Sequence, residues 1–162
     1  MEGKRASESI SVLVRWMSLV DSNSAGSVHG GIVMKLCDEA AGVAAVRHCG
    51  MRVVTAGMDR MTFLEPVNVG ELLSCSATVN AAWRTSMEVG VRVEAESPRT
   101  GARRHTSTAY LTMVALDDQG QPTPVPPLIA ESEAEQRRQR EAEVRRKNRL
   151  AEREELLKSR DT

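Results

Sequence analysis

One segment limits what this chain can become: the run GGIVMKLCDEAAGVAAVRHCG from Gly30 to Gly50. Apolar residues at 32, 33, 36, 37, 40, 41, 43, 44 and 45 recur at helical spacing, glycine stands at both ends, and Arg47 and His48 fall in the last turn. This spacing predicts a helix over 30–50. Such a helix is apolar round most of its circumference and has to be buried. The runs after it have period two instead: 53–63, 72–83, 86–96 and 105–116 read as four strands. Within 86–96, Met87, Val89, Val91, Val93 and Ala95 alternate with Ser86, Glu88, Gly90, Arg92, Glu94 and Glu96. Residues 10–20 read as one more strand, closed by the turn formers of 21–26. Short loops such as 65–70 and 97–101 suit antiparallel connections better than crossovers. A lone apolar helix with one sheet available must lie across that sheet's concave face, so the expected class is α+β in two layers.

The 162 residues suffice for one domain. Phe63, Trp16, Trp83 and Tyr110 are the only aromatic residues, so Val, Leu, Met and Ala must build the core. Lys plus Arg equals Asp plus Glu at 22 each, which lacks the electrostatic footprint of a nucleic-acid or anionic-membrane binder. No nucleic acid and no membrane partner is expected. Three cysteines (Cys37, Cys49, Cys75), with no secretory pattern in the first twenty residues, point to a reduced, cytoplasmic protein. Four of the six prolines fall in PTPVPPL, 122–128, and composition changes there. The expected division is a folded body over 1–128 and a charged tail over 129–162. From 131 to 162 the chain holds ten Lys/Arg and nine Asp/Glu, with neither Gly nor Pro. That composition forms helix, and with no sustained apolar heptad the helix is expected to be solvated and laced by salt bridges.

Chemistry is sought where the helix departs from its apolar pattern. Asp38 sits beside Met34, Ala41 and Ala45, and a carboxylate in such company needs partners or a task such as general base or nucleophile. It can equally fall on the solvent side. At the helix start, Ser27-Val28-His29-Gly30-Gly31 puts unpaired N–H groups at a positive helix end, where glycine lets a ligand approach the backbone. This suits an oxyanion, although a plain loop-to-helix junction has the same composition. Gly30 and Asp38 are eight residues apart, about 12 Å along a helix at 1.5 Å per residue. One chain cannot bring both to one carbonyl. If they cooperate, two helices run antiparallel in a two-fold dimer with two equivalent sites. The three histidines (His29, His48, His105) and the cysteines lack metal-ligand spacing, so no metal is expected. His29 reads as support for the turn and Ser27 as a possible cap.

The segments NSAGSVHGGIVMKLCDEAAGVAAVRHCG, VVTAGMDRMTFLEPVNVGELL, RTSMEVGVRVEAE and AYLTMVALDDQGQPTPVPPL, in that order, resemble the hot-dog-fold acyl-CoA thioesterases, especially the cytosolic acyl-CoA hydrolase branch. The resemblance spans residues 9–128 and implies a long central helix wrapped by an antiparallel sheet, followed here by the charged helical tail. It implies homodimers with antiparallel helices, assembled as a trimer of dimers, and a fatty acyl-CoA substrate. No separate cofactor is implied, because coenzyme A is part of the substrate. By the same resemblance Asp38 is the catalytic aspartate, and the amide of Gly30 or Gly31 polarises the thioester. Ser27 stands where some relatives carry a catalytic asparagine. Arg84, Thr85, Ser86 and Arg104 are candidates for holding the CoA portion. Two rivals stay open: a non-catalytic acyl-CoA-binding module on the same fold, and a hydratase working through His29.

Overall fold

The computed structural model describes residues 1–160. In chain order the elements are β1 (Lys4–Arg5), β2 (Ser11–Trp16), α1 (Gly30–Cys49), β3 (Arg52–Met58), β4 (Thr62–Phe63), β5 (Leu72–Ala82), β6 (Ser86–Glu96), β7 (Arg103–Leu116), β8 (Leu128–Ile129) and α2 (Glu133–Arg160). The main sheet is antiparallel in the order β2-β5-β6-β7-β3, with β4 also paired to β7. A two-residue parallel ladder joins β1 to β8. Helix α1 touches all five main strands, so the sheet curls around it as the lone-helix argument requires. This is the hot-dog architecture, with the charged helix added at its end.

Small residues set how closely helix and sheet approach. Cys37, Ala40, Ala41, Ala44 and Ala45 of α1 are fully buried against Leu73, Cys75, Ala77, Val91, Val93, Ala109 and Leu111. Helix α1 ends where glycine permits it: Gly50 adopts φ 68° and its N–H donates to the Val46 carbonyl at 2.7 Å. Its last turn is anchored by buried His48, whose Nε2 lies 2.9 Å from the Pro126 carbonyl oxygen. Burial lowers the His48 pKa, so the ring resists charging.

Three expectations need correction. The strand expected over 10–20 stops at Trp16, and 19–21 form a short 3₁₀ turn held by Asp21, which accepts from Ser18 N–H at 2.8 Å and from Arg15. The run 53–63 breaks into β3 and β4, because a bulge between Thr55 and Gly57 shifts the register and bends the strand. Helix α1 is not buried all round: Met34, Val43 and Val46 are each over 40% exposed. One sheet can cover only one face of a helix.

The tail helix also departs from the solvated reading. Ala142 is fully buried, and α2 crosses the outer face of the sheet, away from α1. Its Glu143 accepts from Trp83 Nε1 at 2.7 Å, and Arg146 lies over the Trp83 ring. Between Glu143 and Arg146 in sequence, Arg145 meets Glu88 at 2.7 Å and stacks on Tyr110, 3.6 Å from its centroid. Alternation alone puts Glu88 in solvent, yet its side chain is 0% exposed. The helix buries it and the arginine compensates it.

Loss of one partner from a buried ion pair costs about 3–5 kcal/mol. Arg145→Met is therefore expected to lower Tm by about 10 °C in a chain of this size. The double replacement Glu88→Met with Arg145→Met should recover most of that loss in a thermal melt.

Candidate active site

The backbone before α1 is folded by Asn23. Its Oδ1 accepts from the N–H groups of Ala25 (2.9 Å) and Ser27 (3.3 Å), its Nδ2 donates to Ser27 Oγ at 3.2 Å, and Gly26 takes φ 86° in the turn. Asparagine favours such turns because its side chain imitates a backbone carbonyl. Ser27 is thereby held in the loop by Asn23 and does not cap the helix. His29 is the N-cap: its N–H donates to the Asp21 carbonyl at 2.7 Å, and its Nδ1 accepts from Gly31 N–H at 2.9 Å.

This separates the two candidate amides. Gly31 N–H is occupied by the His29 ring, whereas Gly30 N–H has no protein partner among the described residues. The edge of the Phe63 ring lies 3.4 Å from where a Gly30 Cβ would stand. The free donor sits at the positive end of a 20-residue helix with an aromatic wall beside it, a place suited to developing negative charge on an oxygen.

Asp38 lies two turns further along α1, half-buried and facing β3. Thr55 Oγ1 donates to Asp38 Oδ1 and also lies 3.6 Å from Met113 Sδ. Thr55 was not among the residues picked out by motif or spacing. Its only sequence signal is its place in the period-two run after the helix, which does not single out a hydroxyl. The hydrogen bond fixes one carboxylate oxygen and leaves Oδ2 with no partner among the described residues.

The candidates for the CoA portion divide. Arg84 and Thr85 lie in the β5–β6 turn and Ser86 opens β6, at the Thr55 end of the sheet, since Met113 pairs with Thr55 on one side and Met87 on the other. The Arg84 side chain is exposed. Arg104 is committed elsewhere: it grips Glu71 with two nitrogens (2.5 and 2.9 Å), and meets Glu65 at 2.9 Å and the Pro66 carbonyl at 2.7 Å. Its donors are shared among two carboxylates and a carbonyl, which ties it to the 65–71 loop. Arg104 beside Glu71 holds that carboxyl below its ordinary pKa.

The Thioesterase superfamily model matches residues 25–102. The cytosolic acyl coenzyme A thioester hydrolase of Rattus norvegicus is 36% identical over 146 residues, covering 89% of this chain and 38% of that one. The chain thus spans about two fifths of the length of that relative. Among solved structures, an apo hexameric acyl-CoA thioesterase is 36% identical with a TM-score of 0.90, over 94% of this chain and 97% of that one. The acyl-CoA hydrolase of Staphylococcus aureus, in complex with butyryl coenzyme A, coenzyme A and coenzyme A disulfide, is 35% identical with a TM-score of 0.89, over 96% and 95% of the two chains. That hydrolase has also been solved with one asparagine, one aspartate or one threonine replaced by alanine. The three replaced positions are spaced 15 and 17 residues apart.

Loss of a helix cap costs about 0.5–2 kcal/mol. His29→Ala should therefore lower stability in a urea melt by that amount, and His29→Asn should restore most of it. The Glu71 pKa is depressed in the folded chain, so its contribution is complete above the unfolded value of about 4.3 and is lost as pH falls through the folded value. Melts between pH 7 and pH 2 should show Glu71→Gln destabilising at neutral pH, with the gap to wild type closing in acid.

Proposed function

Since the chain belongs to the hot-dog-fold acyl-CoA hydrolases of the thioesterase superfamily, we propose that it hydrolyses a fatty acyl-CoA to the free fatty acid and coenzyme A. The observation that carries this reading is the Thr55–Asp38 hydrogen bond, seen together with the spacing of the residues around it. Asn23, Asp38 and Thr55 are separated by 15 and 17 residues, the spacing of the three positions replaced in the S. aureus hydrolase. On this spacing we assign the asparagine that the resemblance leads one to seek at Ser27 to Asn23, four residues earlier. An asparagine at this spacing favours hydrolysis over a non-catalytic acyl-CoA-binding module.

In the proposed reaction the thioester carbonyl oxygen takes the free N–H of Gly30. Charge builds on that oxygen in the tetrahedral intermediate, and a fixed amide at a helix start stabilises it without reorganising. Thr55 orients Asp38 so that Oδ2 points its lone pair at the reacting centre, as general base on water or as nucleophile. Water supplies the hydroxyl that stays on the acid, and the thiolate of coenzyme A leaves with the proton.

Gly30 and Asp38 of one chain stand about 12 Å apart along α1. The Asp38 that serves a given Gly30 is therefore assigned to a second copy, its helix antiparallel to the first. Two features support this pairing: the exposed Met34, Val43 and Val46 on α1, and the edge of β3 that pairs with no strand among the described residues. Three such dimers would give the hexamer that one solved relative forms. In this reading coenzyme A enters as substrate and no further cofactor takes part, Arg84, Thr85 and Ser86 contact its polar portion, and the setting is the cytosol.

Release of free CoA thiol from acyl-CoAs of several chain lengths tests the proposal. Wild type should turn over, Asp38→Asn should lose about 10²–10⁴-fold in kcat, and Thr55→Val about ten- to a hundred-fold, for one hydrogen bond to a charged group. Wild type that turns over none of the chain lengths overturns it.

A further inference from the structure

The bent connection between β3 and β4, Asp59-Arg60-Met61, lies between two parts of the site. Thr55, which holds Asp38, precedes Asp59 by four residues, and Phe63, which lies against Gly30, follows it by four. Its backbone is tied to the sheet at each end, by Asp59 N–H to the Tyr110 carbonyl (2.9 Å) and Leu64 N–H to the Thr106 carbonyl (2.8 Å). After the bulge at Thr55/Gly57 the ladder resumes only for Gly57 and Met58, and 59–61 have no ladder partner before β4 begins at Thr62. Between these ties the corner has no ladder support of its own, and helix α2 reaches it. Arg149 Nη1 lies 2.9 Å from Asp59 Oδ2 and 3.9 Å from Glu88 Oε2, the carboxylate that also receives Arg145. A second pair between the same elements, Arg60 with Glu152 at 3.3 Å, is largely exposed and contributes little. The Arg149–Asp59 pair is mostly sheltered, with side chains 31% and 18% exposed.

We infer that Arg149 is a positioning residue for the hydrolysis proposed above: by bridging Asp59 to the buried Glu88, the tail helix holds the corner that carries Thr55 to Asp38 and Phe63 to Gly30. In a dimer with shared sites, one corner supports the acid end of one site and the amide end of the other. The tail is then part of the catalytic apparatus although it touches no reacting atom. The inference rests on the hydrolase reading for its activity arm, and its structural arm is read independently.

The test uses the full chain and measures kcat and KM for acyl-CoA hydrolysis alongside amide hydrogen exchange at Asp59 and Leu64. Arg149→Met should lower kcat about ten- to a hundred-fold through misplacement of the site, with KM little changed. It should also speed exchange at both amides. Arg149→Lys should recover most of the rate, and Glu152→Gln, which breaks only the exposed pair, should behave as wild type. Should Arg149→Met fail to fold, Asp59→Asn reads the same contact from the other side and leaves Arg149 on Glu88. In a Thr55→Val background the loss from Arg149→Met should shrink, because both act on one unit. Unchanged kcat, unchanged exchange, or losses that simply add would overturn the inference. A wild type without turnover overturns the hydrolase reading and with it the catalytic role, while the exchange rates still decide whether Arg149 holds the corner.

Discussion

Everything in this molecule depends on one close approach, that of α1 to the concave face of the sheet. Helix and strands meet through alanine, cysteine and valine, so the backbones come near enough for a single helix to serve as the whole second layer. With only four aromatic residues in the chain, bulk could not have filled a wider gap. That contact sets the height of α1 along the sheet. It thereby places the Gly30 amide beside Phe63 and the Asp38 carboxylate beside Thr55.

The polar parts of the site follow from how the helix begins and where it is interrupted. His29 consumes one of the two glycine amides at the helix start and so selects the other. A helix N-terminus has more donors than its own carbonyls can serve, and the one left free here is open to an anion. Asp38 interrupts the apolar pattern at the boundary between the face that the sheet covers and the face it does not. There the carboxylate keeps access to solvent while Thr55 gives it a fixed orientation.

The outer face of the sheet obeys a different logic. Ala142, Arg145, Arg149 and Glu152 recur at intervals of three and four, which is one stripe of a helix, yet three of the four are charged. A search for apolar heptads passes over such a stripe. Its partners are equally hidden, because Glu88 occupies a strand position that alternation assigns to water. Two misleading local patterns combine into one contact: the charged helix buries the charged strand residue, and each compensates the other.

The sequence by itself determined the central helix with its glycine ends and the strands of 72–82, 86–96 and 103–116 within two residues. These are written in periodicity and in residue type, which act locally. Only the tertiary structure decided that Gly30 and not Gly31 has the free amide, that Thr55 is the residue holding Asp38, that Arg104 belongs to a loop, and that the tail is docked. Each of these turns on which partner a hydrogen-bonding group finds among residues up to 92 positions away in the chain. Donors and acceptors carry no period, so the choice among them is made only when packing of the apolar residues has brought the chain together.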